Sequence, residues 1–327
     1  MSSRDSLHIV TLHPFDPTEI DQIKAAVPRA CIDFTVCRTR EEFDQKVKDA
    51  DVVYGDIRGD ALKSATRLKW VQAGGAGIEA MDRALFESPV LITNFARTFA
   101  PAISETAIGM LLCLTRGISQ YYVPQFLARQ WKPVGTVKSA DHSEISGRTM
   151  GIVGLGGIGC AVARRAYYGF DMRILATDFR ALHKPEYVTE LHDPGWFHEM
   201  VPQVDVLVAA APHTRETERM FNEQVFGSMK KTAYFLALSR GKLFDDMARV
   251  KALKQGWIAG AGLDVFPEEP PPSNHPIFDC PNVVMTMHTS GWSTDRQKRL
   301  VELFAENVRR YSEGLPLLNM VDKKLGY

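Results

Sequence analysis

Short apolar runs alternate along the chain with segments whose apolar residues recur at helical spacing. In the N-terminal part, five apolar runs predict β-strands and three intervening segments predict α-helices. Strands that alternate with helices favour right-handed crossovers and a parallel sheet, so this part is predicted to form one α/β unit. The predicted strands are 7–12, 32–36, 52–54, 69–72 and 90–93, and the predicted helices are 17–26, 40–49 and 59–64.

A second α/β series follows a long predicted helix at 101–116, in which Ile103, Ala107 and Met110 recur on one face. Alternation of strands with helices again indicates a parallel sheet. After a proline-rich loop at 267–276, a final helix is predicted at 293–313. The further strands are predicted at 149–153, 172–176, 205–210, 232–238, 258–263 and 283–286.

The composition changes this picture little. With 327 residues, 45% of them hydrophobic, the chain has material for about two domains of roughly 150 residues each. Because 39 basic residues balance 39 acidic ones, no overall charge would attract nucleic acid or an anionic membrane, and a small-molecule partner is expected. The sequence contains neither a secretory h-region nor a run of roughly 18 apolar residues, so we expect a soluble, cytoplasmic protein. The five cysteines lack CxxC spacing, and we assign them neither a metal nor a disulfide.

A glycine-rich segment, Gly154-Leu155-Gly156-Gly157-Ile158-Gly159, follows the strand predicted at 149–153. A GxGxxG pattern alone is weak, but here a strand precedes it, a helix follows it, and Asp178 lies 19 residues after Gly159 at the end of the next strand. The amides near Gly157 and Ile158 would face a pyrophosphate at the start of the helix. The segment therefore predicts a dinucleotide site.

Asp178 bears on the choice of dinucleotide. Its carboxylate would bond the free ribose hydroxyls of NAD and repel the 2′-phosphate of NADP. Arg180 lies two residues further on and could bind that phosphate, but we favour a solvated surface arginine. The expected cofactor is NAD, with NADP the alternative.

Arg240 and His288 each follow an apolar strand, at the end where open α/β sheets bind ligands. A guanidinium can hold the carboxylate and carbonyl oxygens of a 2-keto acid together and polarise the carbonyl toward hydride attack. An imidazole can supply the proton to the developing alkoxide. The pattern favours an oxidoreductase that depends on a nicotinamide.

Four blocks in the same order resemble the D-isomer-specific 2-hydroxyacid dehydrogenases, the family of glycerate, phosphoglycerate and D-lactate dehydrogenases and of glyoxylate/hydroxypyruvate reductases. The resemblance covers almost the whole chain. The blocks are 147–156, 239–241, 262–270 and 288–291.

The resemblance implies a catalytic set of Arg240, Glu269 and His288. Arg240 would bind the substrate, His288 would exchange the proton, and Glu269 would stabilise the charged imidazole. Glu268 stands beside Glu269, and only the match to the family's Glu-Pro step selects Glu269.

The resemblance also implies supporting residues around the cofactor and the substrate. Leu238 and Ser239 would contact the cofactor, and Asp264 would either contact the nicotinamide carboxamide or support its own loop. The Gly74-Gly75-Ala76-Gly77 turn would receive the substrate carboxylate on backbone amides of Gly75, Ala76 and Gly77.

The fold implied by the resemblance consists of two Rossmann-like or flavodoxin-like parallel-sheet domains with an interdomain cleft. Residues 1–97 plus 290–327 would form a discontinuous substrate domain, and residues 98–289 the NAD-binding domain. Relatives usually form homodimers, so a homodimer is expected, with no nucleic-acid or membrane partner.

Several alternatives stay open at this point. Arg97 would read a second negative group on the substrate or would simply be exposed. A formate-dehydrogenase-like activity is disfavoured because that relative pairs its histidine with glutamine, whereas Glu269 stands here. A phosphite-oxidising relative shares the three catalytic residues, and an NAD-sensing corepressor would bind cofactor without turnover.

Overall fold

The computed structural model describes residues 6–28, 31–132 and 142–326. It divides into two compact units, one formed by Met1–Phe99 with Ser293–Tyr327 and the other by Ala100–Trp292. The strands are β1 (Ser6–Thr11), β2 (Cys31–Val36), β3 (Val52–Tyr54), β4 (Trp70–Gln72), β5 (Leu91–Thr93), β6 (Thr149–Val153), β7 (Arg173–Thr177), β8 (Glu190–His192), β9 (Val206–Ala209), β10 (Tyr234–Ala237), β11 (Gly260–Leu263) and β12 (Val283–Met285). The helices are α1 (Pro17–Ala25), α2 (Arg40–Lys46), α3 (Gly59–Ser64), α4 (Arg83–Glu87), α5 (Ala100–Thr115), α6 (Val123–Leu127), α7 (Gly157–Phe170), α8 (Phe197–Met200), α9 (Glu223–Ser228), α10 (Asp246–Lys254) and α11 (Arg296–Ser312).

The first unit contains a five-stranded parallel sheet with the order β2-β1-β3-β4-β5, which is the flavodoxin-like arrangement. Asp16 is the N-cap residue of α1. Its side chain accepts a hydrogen bond from the Glu19 amide, and the Glu19 side chain accepts one from the Asp16 amide. The last helix, α11, belongs to this unit. Its Phe304 is fully buried and its ring packs against Tyr54 and Trp70, so the C-terminal segment completes this core.

The second unit contains a seven-stranded parallel sheet with the order β12-β11-β10-β9-β6-β7-β8. Counted from β6, this is the strand order of a doubly wound dinucleotide-binding domain with one added strand. The central strands are buried on both faces, as in β9, where all four residues are buried. The strand order reverses between β6 and β9, and ligands bind doubly wound sheets at this switch point.

The predicted class of two parallel-sheet α/β domains is confirmed. Within the described ranges, no helix combines the length and the apolar character required to cross a bilayer.

Candidate active site

Three predicted site residues lie at one edge of the second sheet. Arg240 follows β10, Asp264 follows β11 directly, and His288 follows β12. These three strands are neighbours and run parallel, so their carboxyl ends meet at the same edge. The fold therefore brings together side chains that are separated by up to 48 positions in the chain.

In the glycine-rich turn after β6, glycine is favoured at each of the three GxGxxG positions, Gly154, Gly156 and Gly159, for a different physical reason. Gly154 has a φ of +92°, and a β-carbon there would lie 2.6 Å from the backbone of Ala211. A β-carbon at Gly159 would lie 2.1 Å from the carbonyl oxygen of Gly154, so α7 can pack this closely on β6 only with glycine. At Gly156 the backbone is unstrained, and a β-carbon would meet only Arg180, at 3.8 Å. Open space above Gly156 fits the close approach of a pyrophosphate.

The start of α7 offers donors for an anion. Gly156 is the N-cap residue and has no side chain that could cap the helix. The amides of the first turn, at Gly157 and Ile158, therefore lack intrahelical acceptors and carry the positive end of the helix dipole. These groups, together with the space at Gly156, fit the diphosphate of a nicotinamide dinucleotide.

Asp178, at the end of β7, is hydrogen-bonded to the same glycine-rich turn. Its Oδ2 accepts from the Leu155 amide at 2.7 Å, and its Oδ1 accepts from the Arg180 amide at 2.9 Å. The Arg180 guanidinium spans the carboxylate, with Nε 3.1 Å from Oδ1 and Nη2 3.2 Å from Oδ2. Arg180 is a surface arginine as expected, with 41% of its side chain exposed, and this ion pair adds a contact that the sequence did not indicate. Asp178 and Arg180 form one unit of opposite charges beside the glycine-rich turn.

His288 and Glu269 form a close pair. The imidazole Nδ1 lies 2.7 Å from Glu269 Oε2, and the other carboxylate oxygen, Oε1, accepts from the Phe266 amide at 2.9 Å. A nitrogen that faces a carboxylate carries the proton, so the neutral ring keeps Nε2 as an acceptor. Across the described ranges, no protein group bonds this Nε2, and 48% of the His288 side chain is exposed. The pair is thus arranged to exchange one proton with a ligand through Nε2.

Asp264 holds the loop that carries His288. Its Oδ1 accepts from the Thr286 hydroxyl at 2.6 Å and from the amides of Thr289 and Ser290, each at 3.0 Å. The Ser290 hydroxyl donates to Oδ2, and the His288 amide donates to the Asp264 carbonyl at 2.9 Å. With 3% of its surface exposed, Asp264 supports its loop in the way that the sequence had left as one alternative.

Arg240 is half-buried, and its Nη1 donates to the Ser239 carbonyl at 2.8 Å. Within the described residues, the Ser239 hydroxyl is buried and has no hydrogen-bond partner. Leu238 is only 2% exposed, so little of its surface is open to a cofactor. Gly241 joins this turn to the Glu269 loop, because a β-carbon there would lie 1.8 Å from the Phe266 carbonyl oxygen.

The first unit contains the glycine-rich turn that follows β4. The Gly75 carbonyl accepts from the Phe95 amide at 2.9 Å, and the Ala76 carbonyl accepts from Asn94 Nδ2 at 3.0 Å. Across the described parts of the chain, the amides of Gly75, Ala76 and Gly77 donate no hydrogen bond. This turn therefore presents donors suited to a small anion.

Sequence reasoning missed the groups that fix the pair. Thr286 and Ser290 were not selected, although two hydroxyl residues beside His288 and one strand away from Asp264 were a usable signal. Gly241 was only part of a quoted motif, and the Phe266 amide carries no sequence signal because every residue other than proline has one.

A doubly wound sheet with a dinucleotide turn and a carboxylate–imidazole pair at its carboxyl edge defines a nicotinamide-dependent oxidoreductase. The family described as "D-isomer specific 2-hydroxyacid dehydrogenase, NAD binding domain" matches residues 108–290. The chain belongs to the D-isomer-specific 2-hydroxyacid dehydrogenases, a family of NAD(P)-dependent oxidoreductases.

The chain is 31% identical to glyoxylate reductase from Thermofilum pendens over 293 residues, which is 88% of this chain and 86% of that protein. It is 35% identical to glyoxylate reductase from Pyrococcus horikoshii, covering 84% of each. Among solved structures, a D-isomer-specific 2-hydroxyacid dehydrogenase from Xanthobacter autotrophicus in complex with NADPH superposes with a TM-score of 0.79 at 25% identity, covering 98% of this chain and 100% of that one.

Proposed function

We propose that the protein reduces a small 2-keto acid, of the glyoxylate or hydroxypyruvate type, to the D-2-hydroxy acid. The observation that carries this proposal is the Glu269–His288 pair, 2.7 Å apart, at the sheet edge that also bears Arg240. The relatives named glyoxylate reductase support the small keto acid.

Each side chain has a defined task in this proposal. Arg240 holds the substrate carboxylate and polarises the carbonyl, which lowers the free energy of the developing alkoxide. His288 starts as the charged imidazolium, which Glu269 stabilises at Nδ1, and it becomes neutral when it delivers the Nε2 proton to that alkoxide. The bound nicotinamide supplies the hydride. In this proposal the dinucleotide contacts the residues of the 154–159 turn, and it meets Leu238 and Ser239 only over the small part of their surface that is exposed.

We propose NADH as the preferred reductant. The Asp178 carboxylate lies at the end of β7, where it can accept from ribose hydroxyls and oppose a 2′-phosphate. Arg180 neutralises part of that carboxylate's charge and adds a phosphate-binding group, so NADPH is the second candidate. The relative solved with NADPH supports testing both.

We propose that the amides of Gly75, Ala76 and Gly77 bind the substrate carboxylate. Their hydrogen-bonding capacity is unused within the described residues, while the carbonyls of the same turn are engaged. A Gly75→Pro variant would remove one donor and should raise KM for the keto acid. An unchanged KM would contradict this assignment.

We propose a homodimer. In the second unit, Phe126, Leu127 and Trp131 are 80%, 74% and 96% exposed, and large apolar side chains in such a cluster are typical of an interface. Sedimentation of the purified chain should give twice the mass of 36.6 kDa. A Phe126→Asp, Leu127→Asp variant should sediment as a monomer, and a wild-type monomer would reject the proposal.

The decisive experiment measures steady-state rates with glyoxylate, hydroxypyruvate, pyruvate and bulkier 2-keto acids, each with NADH and with NADPH. Oxidation of phosphite with NAD is measured in parallel. We expect keto-acid reduction, and a drop in kcat of about 10²-fold or more in Arg240→Lys and His288→Ala, with NADH binding retained. Binding of NADH without turnover of any substrate would favour a sensor instead.

A further inference from the structure

Arg249 lies wholly inside the second unit, in the middle of α10, with none of its surface exposed. Its Nη2 donates to Asp246 Oδ1, while Asp246 Oδ2 lies 2.8 Å from His275 Nε2. His275 Nδ1 in turn accepts from the Ile277 amide at 3.2 Å. Within the described residues, Arg249 Nε and Nη1 have no hydrogen-bond partner. One carboxylate, that of Asp246, therefore pairs with a buried cation and with an imidazole that is 12% exposed.

A buried guanidinium with two unsatisfied nitrogens is costly, and an apolar residue of similar volume usually fits a core better. Burial lowers the pKa of Arg249, and the Asp246 carboxylate is the first of the groups that oppose this shift. The guanidinium carbon instead lies 4.8 Å from the centre of the Phe266 ring and 5.3 Å from that of Phe244. The cation is thus held against two aromatic faces, an arrangement that strengthens when water is absent.

Phe266 contacts several residues near the carboxyl edge of the second sheet that bears Arg240 and His288, which we call the catalytic edge. Arg249 lies over its ring, and the His275 ring approaches it edge-on, 6.3 Å away at 80°. Its carbonyl packs on Gly241, next to Arg240, at a distance that admits no β-carbon. Its amide donates to Glu269 Oε1 at 2.9 Å, and Glu269 Oε2 bonds His288. A continuous set of contacts therefore runs from Arg249 through Phe266 to the acid–base pair.

We propose that Arg249 is a positioning residue that sets the orientation of Glu269 and, through it, of the His288 ring. The cation fixes the plane of the Phe266 ring, the fixed ring holds the amide of the same residue, and the amide holds one oxygen of Glu269. The other oxygen then points at His288 Nδ1. Because misplacement of a catalytic group by about 1 Å can lower a rate up to 10²-fold, loss of this support should lower kcat more than it raises KM.

A double-mutant cycle in the full-length enzyme tests this proposal, and its kinetic arm rests on the proposed function. We expect Arg249→Met to lower kcat about tenfold in the wild-type background and less than about twofold in the Glu269→Gln background. Arg249→Lys, which keeps the charge, should restore part of kcat. Equal losses in both backgrounds would show a general structural effect and overturn the proposal. Phe226→Leu, a fully buried change in the same unit on α9, is the control for lost stability and should add equally in both backgrounds.

A spectroscopic measurement separates this inference from the proposed function. In histidine-labelled protein, the His288 Nδ1 proton should resonate far downfield because it bonds a carboxylate, and His288→Gln identifies the signal. We expect Arg249→Met to move or broaden this resonance, Arg249→Lys to do so less, and Phe226→Leu to leave it in place. An unmoved resonance in Arg249→Met overturns the proposal even if no keto acid is turned over. If Arg249→Met does not fold, Arg249→Lys and Phe266→Leu replace it in both experiments with the same deciding outcomes.

Discussion

We expect the methyl group added by a Gly241→Ala substitution to push apart the turn that carries Arg240 and the loop that carries Glu269. A β-carbon at this position would lie 1.8 Å from the Phe266 carbonyl oxygen, 1.9 Å from its carbon and 2.4 Å from the Pro267 nitrogen. All three are backbone atoms, so no side-chain rotation relieves the clash. Since a carbon contact needs about 3.5 Å, the two backbones must part by roughly 1.7 Å.

The expected effects of Gly241→Ala follow from that displacement. Overpacking of this kind typically costs about 1–3 kcal/mol of the free energy of unfolding, and a shift of more than about 1 Å at a catalytic group can cost 10²-fold in kcat. The shift also moves the Phe266 amide that holds Glu269. We therefore expect a loss of kcat of about 10²-fold together with a lower melting temperature.

The assay compares Gly241→Ala with Gly227→Ala. Gly227 lies in α9 of the same unit, and a β-carbon there meets nothing within 4 Å. Alanine is a better helix former than glycine by about 1 kcal/mol, so this control should be neutral or stabilising. Steady-state reduction of the keto acid and thermal unfolding are measured for both. If Gly241→Ala kept kcat within twofold of the wild type, the close contact would not position the catalytic edge and the reasoning would fail.

Three further predictions follow from other contacts. Asp264→Asn weakens charge-assisted bonds to the His288 loop, and we expect about 2–4 kcal/mol lower stability by urea unfolding and a kcat loss of at least tenfold, whereas unchanged kinetics would remove the positioning role. Arg180→Ala frees the Asp178 carboxylate, so the ratio of kcat/KM for NADH over NADPH should rise about tenfold, and a fall in that ratio would refute this account. The side-chain bonds from Arg309 and then Arg310 lower the pKa of Glu306 to about 2, so its stabilisation is present above the ordinary value of 4.5 and is lost as the pH falls toward 2. Because these groups are partly exposed, Glu306→Gln should cost only about 0.5–1 kcal/mol at pH 7 and less at pH 3, and a cost that grew in acid would contradict the sign.

Elements with strong local patterns could be predicted from sequence. The predicted bounds of β3, α3 and β6 agree with the structure, because each combines an apolar run or helical spacing with clear flanking residues. The edge strand β8 was missed, since Glu190-Leu191-His192 holds one apolar residue and has no period. Helix α10 was missed because Arg249 occupies a core position, which interrupts the apolar stripe that would reveal it.

The candidate site shows the same division. Arg240, Asp264 and His288 could be found because strand ends in a parallel sheet share an edge, a rule that needs only the strand positions. The contacts that fix them could not be found. The hydrogen bond from the Phe266 amide to Glu269 and the close approach of the Phe266 carbonyl to Gly241 form only when loops distant in the sequence come together. No local sequence pattern therefore indicates them.

His288 adopts a left-handed backbone, with a φ of 56°. For a residue with a β-carbon this conformation costs about 1–2 kcal/mol, and glycine or asparagine would adopt it more readily. Selection of this protein for heat tolerance alone should therefore favour those residues at position 288, and the proposed role of His288 then requires the more stable variants to be inactive. Engineering of this protein therefore needs an activity screen from the first round, because at position 288 stability favours glycine or asparagine whereas the proposed chemistry requires histidine.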